Sequence, residues 1–211
     1  PRDYFKSDFY QNNKAHFVSE TGYHGCPSLE SIKKFITPEC VWPYYNNSEW
    51  ILHSSDQNGN DARVMLMEKQ VRQLFGEVPK EADEYILASQ ISQAEAKKYF
   101  IERMRVARPE KTGIIWWNLL DGWPQMSDAV VDYYFNKKLA YSYIKRSQAP
   151  FAVCADELNN WKLDLYACND TLETKQGNLT VKDALSDEII CQCEFSAKEN
   201  ASTLITSIPT Y

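Results

Sequence analysis

The sequence predicts an α/β segment followed by an all-β module. Three observations carry that prediction. Short strand patterns at residues 16–20, around the apolar pair Phe17-Val18, and at 113–117 are separated by long helical patterns, the alternation expected of a parallel sheet flanked by helices. The hydrophobic period then changes at Gln148-Ala149-Pro150, from the helical ~3.6 residues to ~2. With 44% hydrophobic and 25% charged residues in a length of 211, the chain is globular and long enough for one full domain or for parts of two.

Taken in order, His16-Phe17-Val18-Ser19-Glu20-Thr21-Gly22-Tyr23-His24-Gly25 reads as a buried strand over residues 16–20 that ends by presenting a carboxylate. In a (β/α)8 barrel, chemistry is placed at strand tips of this kind. Ser28 can cap a helix whose Leu29, Ile32, Phe35 and Ile36 form one stripe and which Pro38 stops. Residues 37–60 read as a long loop rich in Pro, Asn, Trp and Tyr. Asn60 or Asp61 then opens a helix with Val64, Met67, Val71, Leu74 and Phe75 at helical spacing, ended by Gly76 and Pro79. A longer helix is expected from Asp83 to Val106. Its main stripe is Leu87, Ile91, Ala94 and Ile101, with Ala96, Phe100 and Met104 opposite, so both faces are expected to be covered.

Gly113-Ile114-Ile115-Trp116-Trp117 is a short, wholly apolar strand, and Lys137 to Lys145 is one more helix. Beyond Pro150, Trp161, Leu163, Leu165 and Ala167 share one strand face, with Lys162, Asp164 and Tyr166 on the other. Leu179/Val181, Ile189–Phe195 and Thr203–Ile208 read as further strands, and Asn169-Asp170 and Gln176-Gly177-Asn178 as turns. A complete immunoglobulin-like sandwich takes about a hundred residues and about seven strands. This module has room for five at most and reads as cut short at Tyr211.

Charge and composition exclude several classes. A net charge of −6 opposes a nucleic-acid partner, which rewards a basic face. No apolar run approaches the ~20 residues of a membrane helix. Cys26, Cys40, Cys154, Cys168, Cys191 and Cys193 form no CxxC pair and read as reduced structural thiols, with Cys191 and Cys193 buried along a strand beside Phe195. His16, His24 and His53 lack metal-ligand spacing, and no cofactor motif is present. Pro1-Arg2-Asp3-Tyr4 is neither a signal peptide nor an initiator methionine, so the chain reads as starting inside a longer protein. Four Asn-x-Ser/Thr sequons, from Asn46, Asn169, Asn178 and Asn200, are the only secretory feature. A bacterial cytoplasm or periplasm is the expected compartment.

Two stretches carry a resemblance. Phe17-Val18-Ser19-Glu20-Thr21-Gly22-Tyr23 resembles the nucleophile segment at the end of barrel strand seven in glycoside hydrolase family two, in its β-mannosidase branch. Thr21 replaces the usual aromatic, and His24 stands where glutamine is common. Gly113–Pro124, Gly-Ile-Ile-Trp-Trp-Asn-Leu-Leu-Asp-Gly-Trp-Pro, is similar to the strand-eight signature, with Asn118 for Gln and Leu120 for Asn. Ser89-Gln90-Ile91-Ser92-Gln93-Ala94-Glu95-Ala96 is similar to the helix between those strands. The resemblance implies that residues 1–147 are the C-terminal portion of a (β/α)8 TIM barrel and that residues 148–211 are part of an immunoglobulin-like β-sandwich.

It further implies retaining exo-hydrolysis of a β-linked oligosaccharide or glycoside by two carboxyl groups about 5–5.5 Å apart. Glu20 would be the nucleophile and Trp117 the apolar floor under the sugar ring. Trp116, pointing the other way, would be packing. Asp121 and Trp123 would line the site or brace the loop after strand eight. His24 would reach substrate, orient Glu20 or be structural. Tyr4 and Tyr23 are possible hydroxyl partners, and Trp42 and Trp50 either rim the pocket or pack. The family's acid/base is the Glu of an Asn-Glu pair, and no Asn-Glu dipeptide occurs here. The rest of the parent barrel is therefore an implied partner, and this chain alone is expected to be inactive. A β-galactosidase, β-glucuronidase or exo-β-glucosaminidase keeps the same mechanism, and a non-catalytic carbohydrate-binding or assembly module is the reading from another class.

Overall fold

A computed structural model describes residues 4–54 and 62–210, which fall into two compact units. The first comprises Pro1–Phe100 and Ile114–Lys145, the second Ile101–Gly113 and Arg146–Tyr211.

The first unit begins with one helical turn, α1 (Asp8–Gln11). Strands β1 (Phe17–Gly22) and β2 (Gly113–Trp117) form a two-stranded sheet. Two expectations are corrected here. Glu20 is followed by two more strand residues, and neither strand is buried: Phe17 and Trp117 are each 50% exposed. The sheet contains only two strands among the described residues, so part of its apolar surface stays open.

Ser28 caps α2 (Leu29–Ile32) as expected, its hydroxyl accepting from the Ser31 amide at 3.1 Å. The regular helix stops after four residues, and turns carry Ile36 into the core beside Ile32. The expected long loop is structured. It holds a 3-10 turn (Pro38–Cys40) and α3 (Ser48–Leu52). Asn47 organises it: its Oδ1 accepts from the Glu49 and Trp50 amides, and its Nδ2 donates to the Cys40 and Pro43 carbonyls at 2.7 and 2.8 Å. Trp50 is fully buried, and Trp42 packs against it and Tyr44, so both tryptophans are core residues rather than a rim.

Helix α4 (Ala62–Phe75) buries Val64, Met67 and Val71 and ends at Gly76, whose φ of +81° is the left-handed stop glycine permits. The expected start at Asn60 or Asp61 lies outside the described residues. Helix α5 (Ala82–Val106) is covered on both faces as expected, with Ala94, Ile101, Ala96 and Phe100 buried, but one position of the expected stripe is wrong. Leu87 is 57% exposed, whereas Tyr85, Ser89, Gln93 and Lys97, an i, i+4 row, are buried. Helix α6 (Leu139–Ser147) starts two residues later than expected.

The second unit holds the antiparallel sheet β3-β4-β7 (Phe151–Ala155, Lys162–Asn169, Ala201–Pro209) and the antiparallel pair β5-β6 (Lys175–Lys182, Ile189–Ala197). Leu165 and Ala167 face inward as expected. Trp161 does not. It precedes β4 in a turn, at φ +59° and 68% exposed. Asn169, fully buried, ties the unit together by donating to the carbonyls of Glu173, Ala197 and Lys198. Arg105 donates to the Ser147 and Cys168 carbonyls and pairs with Asp170. All six cysteines are free thiols; Cys26, Cys154 and Cys168 are buried, while Cys191 and Cys193 are only half-buried.

Candidate functional site

The ends of β1 and β2 open into one cleft. From β1 and the residues after it come Glu20, Thr21, Gly22, Tyr23 and His24; from the end of β2 come Trp117 and Asn118. Gln125, Ser127 and Asp128 approach from the β2–α6 connection, Arg63 and Gln70 from α4, and Phe9 and Tyr10 from α1. Glu20 is exposed and Trp117 half-exposed, so a carboxylate and an indole face meet solvent in the same hollow.

A polar network beneath the cleft holds these ends in place. Gln93 Nε2 donates to the carbonyls of Tyr23 and Asp128 at 3.0 Å each and of Ala129 at 3.3 Å. Lys97 Nζ donates to the Trp117 carbonyl and lies 5.8 Å from the Trp116 ring. Lys138 Nζ, also buried, donates to the Gly25 carbonyl at 2.7 Å. His24 Nδ1 lies 3.3 Å from Asp128 Oδ1. Glycine at two positions makes room for this network. A Cβ on Gly22 would lie 2.6 Å from Asp128 Oδ1, and one on Gly25 2.5 Å from Gln93 Oε1.

The electrostatics separate the acids. Burial alone would raise the Asp128 carboxyl, but His24, Lys97 and Lys138 outweigh it and hold the group below the usual carboxylate range. Burial also lowers the Lys97 ammonium to about 8, although Asp128 opposes the shift. Asp121 moves the other way: burial raises its carboxyl despite Lys138 and the hydroxyl of Ser127, 2.5 Å from Oδ1. The second carboxylate of the cleft is thus kept ionised and is unsuited to donating a proton. Among the described residues no cluster of His, Cys, Asp and Glu is placed to hold a metal ion.

Of the residues singled out in the sequence, Glu20, Tyr23, His24 and Trp117 line the cleft. The Tyr23 ring turns into the core, edge-on to Phe5 and Phe100. Tyr4 packs beside Phe5 in the same cluster. Asp121 and Trp123 are not among the lining residues. Asp121 accepts from Gln125 and Ser127 and braces the connection from below, and Trp123 stacks on His53 at 5.2 Å. Sequence reasoning gave Asp128, Gln93 and Lys97 no role in the site and reads Asp128 as a solvated or capping group. Asp128 carries no pattern of its own, and the other two sit on a helix where polar residues read as solvated.

No protein-family model matches the chain. Among curated proteins, a β-mannosidase of Capra hircus is 28% identical over 183 residues, 80% of this chain and 20% of that protein. A crystal structure of a β-D-mannosidase from Dictyoglomus thermophilum superposes with a TM-score of 0.73 at 29% identity, over 92% of this chain and 23% of that one. An exo-chitosanase of Amycolatopsis orientalis, in complex with PNP-β-D-glucosamine, superposes with a TM-score of 0.70 at 17% identity over 90% of this chain, a likeness of fold. The chain spans about a fifth of the length of the curated relatives it matches.

Proposed function

We propose that this chain, a partial homologue of the β-mannosidases and exo-β-glucosaminidases of glycoside hydrolase family two, supplies the nucleophile half of a retaining exo-β-glycosidase site. In this reading β1 and β2 are the seventh and eighth strands of a (β/α)8 barrel formed by residues 1–147 with upstream sequence. Residues 148–211 are part of the following sandwich.

The observation that carries the reading is the convergence of Glu20 and Trp117 on one cleft. The exposed Glu20 carboxylate attacks the anomeric carbon and forms a glycosyl ester, which water later hydrolyses. Trp117 offers an apolar face to the C–H side of the sugar ring. The general acid comes from elsewhere, because Asp128 is held ionised and Asp121 lies outside the cleft. Two strands cannot close a barrel, so the 211-residue chain by itself is inactive.

The test joins this chain to the sequence encoded upstream. A 2-deoxy-2-fluoro-β-mannosyl fluoride should label Glu20 of that longer polypeptide, and Glu20→Gln should abolish both the label and turnover of an aryl β-mannoside. Labelling elsewhere, or aryl mannoside turnover by the 211-residue chain free of host enzyme, refutes the assignment. A panel of aryl β-mannosides, galactosides, glucuronides and glucosaminides then identifies the sugar.

A further inference from the structure

Lys97 is a buried charge that the nucleophile assignment does not use. It belongs to the buried polar row of α5 and is wholly shielded from solvent. Its Nζ donates to the Trp117 carbonyl at the end of β2 and lies 5.8 Å from the centre of the Trp116 ring. Neighbouring strand residues point to opposite faces. Trp116 thus turns its ring towards the lysine, while Trp117, half-exposed, lines the cleft. The charged groups facing Lys97 are Asp128 of the β2–α6 connection, which attracts it, and Lys138 before α6, which repels it. Asp128 is itself paired with His24, and Glu20 of β1 and Arg63 of α4 share the cleft.

We propose that Lys97 is a positioning residue: its buried ammonium clamps the end of β2 to the Asp128 segment and so holds the Trp117 indole where a sugar ring stacks. Carbonyl, aromatic face and carboxylate are all drawn to a positive charge. A neutral amine can still donate to the carbonyl, but it loses the attraction to Asp128 and to the Trp116 ring. The clamp therefore depends on the proton. Burial outweighs Asp128 and brings the ammonium down to about 8, so the charge is lost just above neutrality. Stability runs the other way. Between that value and the unfolded value of ~10.4 the unfolded chain holds the proton and the folded chain does not, so this group favours folding more as pH rises. A sugar floor that loosens while this lysine ceases to destabilise the fold is a signature that a merely structural lysine does not give. The role in sugar binding rests on the reading of the cleft as a glycoside site; the clamp itself does not.

Two measurements test it. The first uses the 211-residue chain labelled with 5-fluorotryptophan, its fluorine resonances assigned with Trp116→Phe, Trp117→Phe and Trp42→Phe. The Trp116 and Trp117 signals should shift with a common midpoint near pH 8, while the signal of Trp42, in the separate core cluster, stays in place. Lys97→Met, similar in length and uncharged, should abolish the shift. Lys97→Arg, charged throughout this range, should hold both signals near their neutral-pH positions. Signals that do not move between about pH 7 and 9.5 in the unaltered chain, or that keep their midpoint in Lys97→Met or Lys97→Arg, overturn the clamp; the first of these outcomes needs no variant to fold. The second measurement uses the longer polypeptide and an aryl β-mannoside. Removing uniform binding raises KM and leaves kcat. Lys97→Met should raise KM about tenfold with kcat within about threefold. The unaltered enzyme should approach that KM as pH rises from about 7 to 9, and Lys97→Arg should not. Glu20 labelled normally with an unchanged KM in Lys97→Met overturns the floor-holding role. No labelling of Glu20 removes the glycoside reading, and the fluorine spectra then decide the clamp alone.

Discussion

Replacing Gly22 with alanine is the sharpest test of how the cleft is held. The added carbon would sit 2.6 Å from Asp128 Oδ1, 2.8 Å from its Cγ and 3.3 Å from Oδ2, so Asp128 has to move. It cannot move freely: aspartate is short, and this one is engaged with His24 under a buried Lys97. Overpacking of this kind costs about 1–3 kcal/mol. Leaving a buried charged group poorly paired adds about 1–3 kcal/mol. Their sum, about 2–6 kcal/mol, is a large part of the ~5–15 kcal/mol that stabilises a typical domain. Urea unfolding followed by the fluorescence of Trp42 and Trp50 should show the midpoint falling by about 1–2 M with the slope unchanged. The double variant Gly22→Ala/Asp128→Ala separates the causes. With the carboxylate gone the methyl fits, and the second substitution should add under ~0.5 kcal/mol to the cost of Asp128→Ala alone. A Gly22→Ala protein as stable as the parent, or a cost that adds in full to Asp128→Ala, refutes the close-contact account.

Three further outcomes are expected. Because Asp128 titrates below its unfolded value of ~3.9, its contribution is complete above that pH and is lost as pH falls through the lower folded value; stability measured from pH 6 to pH 3 should therefore decline more steeply in the parent than in Asp128→Asn. Gln93→Leu, nearly isosteric, leaves the Tyr23, Asp128 and Ala129 carbonyls without their shared donor and should cost about 2–4 kcal/mol by chemical denaturation. On the same helix Leu87→Ala should cost under ~0.5 kcal/mol in thermal melts, because that side chain is exposed, whereas Phe100→Ala, which empties a buried aromatic cluster, should cost about 3–5 kcal/mol.

Elements with a strong local signature were readable in the sequence. Ser28 announced a cap and Gly76 a stop, and the Val64–Met67–Val71 row gave α4 its face. Strand alternation placed Leu165 and Ala167 correctly. The failures share a cause: burial decided by tertiary partners. Asn47 turns a Pro- and Asn-rich segment into a structured lobe by satisfying four main-chain groups, and hydrophobic periodicity carries no trace of that. Trp161 fits the alternation of β4 but precedes the strand at a positive φ. In the cleft, Glu20, His24 and Trp117 could be found because each sits in a motif at a strand end. Asp128 could not, since its place in the cleft depends on His24 and Gly22, more than a hundred positions away in sequence, and on lysines of two helical segments.

The row Tyr85, Ser89, Gln93 and Lys97 on α5 explains why Leu87 was misplaced and what the site requires. A helix packed on an ordinary sheet meets apolar side chains, because the strands satisfy each other's main chain. Beyond the last residues of β1 and β2 that pairing thins to isolated bridges, Gly25 with Ser127 and Leu120 with Val131. The carbonyls of Tyr23, Trp117, Asp128 and Ala129 point into the interior and must find donors there. Gln93 and Lys97 supply them, and Ser89 Oγ accepts from the Cys26 amide 3.1 Å away. An apolar stripe in their place would leave those groups buried and unpaired. Chain ends that open into a cleft thus require a polar helix face behind them. On this helix polar residues are buried alongside Ala94, Phe100 and Ile101, and Leu87 of the expected stripe is left to solvent.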